Sequence, residues 1–266
     1  MDNRPIAVID SGVGGLASLG AIREAMPNED IVYFGDTAFM PFGTKTEAEL
    51  RDRAAKIAVK MDEMGCKMII VACNTMSCVA MDAIYKAAPS LLVQSMLEPA
   101  TKMVVKECHE GARLGLIATP RCIESGVYLK KFAGLRNHPD LFAKGIPELS
   151  VFIENGITEG PQMESLLHSY MDAMGGEDGL EYILLGCTHY PLATGAIEKL
   201  FPNAKVLDPA KELAKSAMML LRVHEFNADP EKEGKLELYA SKLTPGFSTM
   251  ASRLGLGEYE IREVDL

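Results

Sequence analysis

A chain of 266 residues with 48% hydrophobic and 24% charged residues has the make-up of a globular protein, long enough for two domains that each bury a core. Its net charge of -10, with no dense Lys/Arg cluster against it, argues for no nucleic-acid partner and still permits an anionic small substrate held by local donors. No apolar run reaches the ~18 residues a membrane helix needs, and the start MDNRPIAVIDSG lacks the pattern of a signal peptide, so no membrane contact and a cytoplasmic address with reduced thiols are expected.

Short apolar runs alternate with helical patterns along the chain, which predicts βα units and parallel sheets. The expected strands are Ile6–Ile9, Ile31–Phe34, Met68–Ala72, Leu91–Gln94, Leu114–Ala118, Val151–Ile153, Tyr182–Leu185 and Val206–Leu207, followed by a strand, helix and strand from LELYAS to YEIREVD. A capping box of Thr46 and Glu49 opens the clearest helix, which sets Leu50, Ala54, Ile57, Met61 and Met64 on one face and stops at Gly65. A second helix runs from Pro161 to about Met174, with Gly175-Gly176 beyond it.

Two pairs of segments look alike. IAVIDSG (6–12) matches LGLIATP (114–120), and MIIVACNT (68–75) matches YILLGCTH (182–189), at similar intervals. The expected fold class is therefore α/β, with two pseudo-symmetric domains of mainly parallel sheet flanked by helices and an active site in the cleft between them. Crossings are expected near Leu97-Glu98-Pro99 and Leu207-Asp208-Pro209, giving a first domain of residues 1–97 plus 208–266 and a second of 98–207.

Chemistry in such sheets collects at the C-terminal strand ends. Asp10-Ser11-Gly12, running into Gly14-Gly15, makes a turn whose N–H groups could hold a carboxylate, although an ordinary strand–helix turn is the simpler account of it alone. The spacing is not that of a dinucleotide fingerprint. Cys73-Asn74-Thr75 ends the most apolar strand and opens a helix, where the macrodipole favours a thiolate. Cys187-Thr188-His189 repeats the arrangement. Cys66, Cys78, Cys108 and Cys122 have no polar motif around them and read as inert packing.

A Cys beside a His also suits a cysteine hydrolase or a metal site. Close C-x-x-C pairs are absent, so no metal is expected, and a hydrolase would leave the second strand-end Cys unexplained. Two thiols across a cleft suit a reaction that takes a proton from one face of a carbon and returns one to the other.

The blocks VIDSGVGGL (8–16), YFGDTAFMPFGTKT (33–46), VACNT (71–75), IATPRCIESGVY (117–128), FIENG (152–156) and LLGCTHYPL (184–192) resemble the glutamate racemase family, within the wider aspartate/glutamate racemase superfamily, in family order. The resemblance implies proton exchange between L- and D-glutamate with no cofactor, metal or pyridoxal, in supply of peptidoglycan. It implies Cys73 and Cys187 as the acid/base thiols, Asp10 and His189 as their assisting residues, and Glu154 as a carboxylate adjusting His189. Ser11, Gly43, Asn74, Thr75 and Thr188 would hold the substrate, together with Thr119, Asp10 and His189. Phe42 stands where the family commonly has Tyr in the same contact position, Phe39 where it often has Arg, and Met-Ser-Cys follows Asn74-Thr75 in place of Ala-Ser-Ala. These departures leave open a racemase for aspartate or another amino acid. A one-Cys hydrolase or decarboxylase of the same fold and a non-catalytic binding protein remain as further readings, and a homodimer is an open expectation.

Overall fold

The computed structural model describes residues 1–171, 174 and 179–266. Strands and helices alternate along it as β1 (Ile6–Asp10), α1 (Leu16–Ala25), β2 (Ile31–Gly35), α2 (Glu47–Glu63), β3 (Met68–Val71), α3 (Asn74–Val79), α4 (Met81–Ala87), β4 (Leu92–Ser95), α5 (Leu97–Glu107), β5 (Arg113–Ala118), α6 (Pro120–Glu124) and α7 (Val127–Ala133). There follow β6 (Asp140–Gly145), α8 (Pro147–Glu154), α9 (Pro161–Met171), β7 (Tyr182–Gly186), α10 (Thr194–Leu200), β8 (Lys205–Leu207), α11 (Ala210–Val223), β9 (Leu236–Ala240), α12 (Pro245–Arg253) and β10 (Glu260–Glu263).

Two sheets result, one of six strands in the order β10-β9-β2-β1-β3-β4 and one of four in the order β6-β5-β7-β8. Every pairing is parallel. The sequences β2-β1-β3-β4 and β6-β5-β7-β8 are the same topology used twice, which is the expected α/β class with its internal likeness. Each sheet is covered on both faces. Ile6, Val8 and Ile70 pack toward α1, α11 and α12, while Ala7, Ile9, Ile69 and Val71 pack toward α2 and α4. In the smaller sheet Ile183 and Leu185 meet α8, α9 and α10, and Leu114, Leu116 and Leu184 meet α5 and α7. Burial on both faces is why these strands read as continuous apolar runs.

Local signals hold where packing agrees with them. Thr46 Oγ1 accepts from the Glu49 N–H at 3.3 Å and Glu49 Oε2 accepts from the Thr46 N–H at 2.9 Å, the reciprocal box that starts α2. Leu50, Ala54, Ile57 and Met61 are buried along it, and Gly65 follows with φ +73°, a left-handed turn that glycine accepts without strain. Helix α9 begins at Pro161 as expected. Its expected end, through 172 and 173 to Gly175-Gly176, lies outside the described residues.

Two expectations need correction. Val151–Ile153 is not a strand but the second half of α8. Pro147 supplies the first-turn φ, and Leu149 and Ile153, one turn apart, are the buried pair, while Val151 is 44% exposed. Three β-prone residues in a row are too few to outweigh that spacing. The strand in this part of the chain is β6, which the sequence reading left out. It is an edge strand whose residues are half-buried or exposed, so DLFAKG carries no apolar run. Leu97-Glu98-Pro99 forms the start of α5, and Pro209, after β8, is the N-cap of α11.

Candidate active site

Cys73 lies just beyond β3 and Cys187 just beyond β7, and these strands flank β1 and β5 at corresponding positions in the two sheets. Both thiols line one cavity of about 650 Å³, a figure that includes its open mouth. Ser11, Phe42, Gly43, Asn74, Thr75, Thr119, Glu154, Thr188 and His189 line it too, so all but one of the expected site residues share a single cavity. The exception is Asp10, fully buried behind the loop that carries Ser11.

The glycine-rich turn does hold a carboxylate, and it is that of Asp10. Oδ2 accepts from the Gly12 N–H at 3.2 Å and the Gly15 N–H at 2.9 Å, and Oδ1 accepts from the Thr188 hydroxyl at 3.1 Å. The last bond joins the two halves. Close packing there explains the glycines: a Cβ on Gly14 would stand 2.5 Å from His189 Nδ1 and 2.6 Å from Thr188 Oγ1, and one on Gly15 would stand 2.6 Å from the Asp10 Cβ. The Tyr33 hydroxyl donates to the Gly12 carbonyl at 2.7 Å and holds the turn from beneath.

The opposite rim is the segment after β2. Arg53 grips the buried Asp36 carboxylate with two bonds of 2.7 Å, and Arg121 Nε donates to the Lys45 carbonyl at 2.9 Å. Gly43 approaches Thr119 so closely that a Cβ would lie 3.3 Å from the threonine Cβ. Phe42 is buried edge-on against Phe39, with ring centroids 5.7 Å apart. The Thr75 and Thr119 hydroxyls meet at 2.9 Å, one from each half.

The thiols differ in setting. Cys73 caps α3, accepting from the Met76 N–H at 3.5 Å, yet its thiol is pushed well above the ordinary range. Burial is the main cause and the Asp10 charge the second; the Met76 N–H and the Ser11 hydroxyl oppose them and lose. Complete desolvation thus opposes the lowering expected of a helix terminus. Around Cys187 the neighbour is His189, whose Nδ1 lies 3.7 Å from the sulfur. Burial resists charging of this ring, but Cys187 and Glu154 outweigh it and push the ring up to about 10. Glu154 Oε1 stands 2.8 Å from Nε2, off the direction of the ring N–H, so the contact is one of charge.

Sequence reasoning missed Tyr128. Its hydroxyl donates to Asn74 Oδ1 at 2.6 Å in the buried interior, which turns the amide so that Nδ2, without a partner among the described residues, is the free donor. The residue sat in a quoted motif, but nothing in the sequence shows which side chain it reaches. Pro147, Ser150 and Val151 also line the cavity and were hidden by the mistaken strand. Among the described residues no Lys or Arg lines it, and its polar groups are hydroxyls, the Asn74 amide, the two thiols, Glu154 and His189. Among the described residues no group of three or more His, Cys, Asp or Glu side chains is placed to hold a metal ion, and no helix is long and apolar enough to cross a membrane.

Two thiols at matching strand ends thus face one cavity, and comparison with known proteins gives the class of the molecule. The Asp/Glu/Hydantoin racemase family model matches residues 16–217, and the chain belongs to that family. It is an enzyme, an isomerase. A glutamate racemase of Carboxydothermus hydrogenoformans is 31% identical over 262 residues, covering 98% of this chain and 96% of the relative. One of Corynebacterium diphtheriae is 34% identical over 232 residues, covering 87% and 86%. Among solved structures, the glutamate racemase of Francisella tularensis in complex with D-glutamate superposes with a TM-score of 0.89 at 29% identity, covering 100% of this chain and 98% of that one. The Thermus thermophilus glutamate racemase in complex with β-chloro-D-alanine gives 0.85 at 34% identity, covering 100% and 99%.

Proposed function

We propose that this isomerase interconverts L- and D-glutamate without a cofactor, Cys73 and Cys187 exchanging protons with opposite faces of the α-carbon, and that it supplies D-glutamate for peptidoglycan. The observation that carries the reading is the presence of both thiols in one cavity, each from the corresponding strand end of a different sheet. The names of the relatives, at 31% and 34% identity over most of the chain, favour glutamate over aspartate. The reading includes two domains, 1–97 with 208–266 and 98–207, facing each other across the cavity, and a cytoplasmic setting in which thiols stay reduced.

An α-proton of an amino acid is a very weak acid, so the site must favour the carbanion-like transition state more than the bound substrate. Ser11, Thr75, Thr119 and Asn74 Nδ2 would hold the carboxylates as preorganised donors, and Thr188, whose hydroxyl proton goes to Asp10, would accept from the substrate ammonium. In the L-to-D direction Cys187, as thiolate, takes the proton and Cys73, as thiol, gives one to the other face. The high proton affinity of Cys73 suits it to that donor state. The His189 imidazolium balances the charge at Cys187, and Glu154 keeps the ring charged. In the reverse direction the roles exchange.

The test is incubation of the purified protein with L-glutamate in deuterium oxide, after exhaustive chelation and dialysis. Loss of optical rotation with deuterium appearing at the α-carbon of the D-product is the expected result. Retained rotation, or activity that returns only with added metal or pyridoxal phosphate, refutes the reading.

A further inference from the structure

Cys78 and Cys122 were read as inert, and the structure places their sulfurs 3.2 Å apart, both thiols free. Cys78 lies in α3, which follows β3 of the six-stranded sheet, and Cys122 in α6, which follows β5 of the four-stranded one. Each sits three residues beyond a threonine of the cavity wall, so Thr75 with Thr119 and Cys78 with Cys122 form two successive rungs between the halves. A disulfide needs sulfurs about 2.0 Å apart, so closing the gap takes a shift of about 1.2 Å between helices that already touch.

We propose that Cys78 and Cys122 are a redox modification site, forming a reversible disulfide that ties the two walls of the cleft together when a low-molecular-weight disulfide is the oxidant. Cys78 is partly exposed and Cys122 fully buried, which sets the order of attack. The Cys78 thiolate attacks one sulfur of the small disulfide, forming a mixed disulfide and releasing one thiolate. Cys122 then attacks the Cys78 sulfur, the second small thiolate leaves, and the Cys122 proton passes to it. Two protein thiols are oxidised and one small disulfide is reduced to two thiols. The neighbouring Cys78 and burial hold the Cys122 thiol well above its usual range, consistent with its acting second. The Thr75–Thr119 hydroxyl contact can part when the cleft opens, whereas the disulfide cannot, so the oxidised form admits and releases its ligand slowly.

The test treats the full chain with oxidised glutathione, blocks remaining thiols, and maps peptides by mass spectrometry alongside racemisation and amide hydrogen exchange. The expected result is a Cys78–Cys122 cross-linked peptide that dithiothreitol abolishes. With it should come slower exchange over residues 74–79 and 119–124, and a loss of turnover of about tenfold, as for an enzyme gated by cleft opening. Cys78→Ala and Cys122→Ala should keep their activity through the same treatment. Glutathione halting on Cys78 without a cross-link, a cross-link that leaves exchange unchanged, or an equal loss of activity in Cys122→Ala would overturn the proposal. The activity arm rests on the proposed racemase function, but the cross-link and exchange arms do not, so a failure of that reading is separable from a failure of this one.

Discussion

Cys73 and Cys187 stand at corresponding ends of β3 and β7, and their surroundings differ in sign. Cys73 is deeply desolvated with the Asp10 carboxylate near it, which favours the neutral thiol. Cys187 faces a histidine whose charging burial opposes but that Cys187 and Glu154 hold up to about 10, which favours the charged ring. A repeated fold has thus been given one anionic and one cationic partner. The difference teaches that topology sets where the thiols stand, while one or two neighbours set the charge around each.

The comparison breaks most sharply if either thiol is removed. Cys73→Ser and Cys187→Ser should each lower racemisation by about a thousandfold, since a hydroxyl cannot readily supply the anion. On a glutamate analogue with a leaving group at the β-carbon, Cys187→Ser should still eliminate from the D-form and Cys73→Ser from the L-form. One variant that processes both enantiomers would sink the two-face mechanism.

Next in size is His189→Asn. Racemisation must slow equally in both directions, because the equilibrium between enantiomers is fixed, so elimination is the informative assay. The L-form should react about a hundredfold more slowly and the D-form nearly as before. Equal losses for both would show that His189 serves the whole site. The same ring gives a stability signature. Its folded pKa is raised, so the stabilisation is complete below its ordinary value of 6.5 and is lost as pH rises through about 10. The Tm gap between wild type and His189→Asn should therefore narrow over that window, and a constant gap would contradict the charged ring.

A smaller effect is expected of Gly14→Ala, whose Cβ would press on His189 and Thr188. Urea unfolding should show a loss of about 1–3 kcal/mol, as for other overpacked sites. Gly195→Ala, in α10 with nothing within 4 Å, is the control and should gain roughly 0.5–1 kcal/mol. A neutral Gly14→Ala would mean the halves dock less tightly than described. Smallest is Phe42→Tyr, which adds a hydroxyl to the cavity wall without a proton to move. It should change KM by about threefold and leave kcat alone, and a change confined to kcat would place position 42 in the transition state.

The same two halves show what a sequence makes legible. β2 and β6 hold equivalent places beside β1 and β5, yet only β2 was foreseen. β9 and β10 extend the larger sheet past β2, so both its faces and both its edges are covered and IVYFG is apolar throughout. Among the described residues no strand lies beyond β6, and DLFAKG keeps a lysine and an aspartate. The periodic face of α2 was readable because core packing imposed it, while three β-prone residues in α8 misled because they lay across a helix rather than along a strand. Of the site, the residues whose own chemistry the motifs announce were found. Tyr128 was not, because its contact with Asn74 spans 54 positions, and neither was the Cys78–Cys122 approach, which spans 44. Such pairings are products of the tertiary fold, to which local pattern is blind.

The Thr188–Asp10 bond has a further consequence. It is a latch across the cleft whose keeper is the very carboxylate that biases Cys73. Were the halves to part, that carboxylate would lose a donor while the sulfur gained water, so the proton affinity of Cys73 would change with the width of the cleft. Reciprocity then requires that protonating or deprotonating Cys73 shift the balance between open and closed forms by the same free energy. Shape and acidity would then be two readings of one equilibrium.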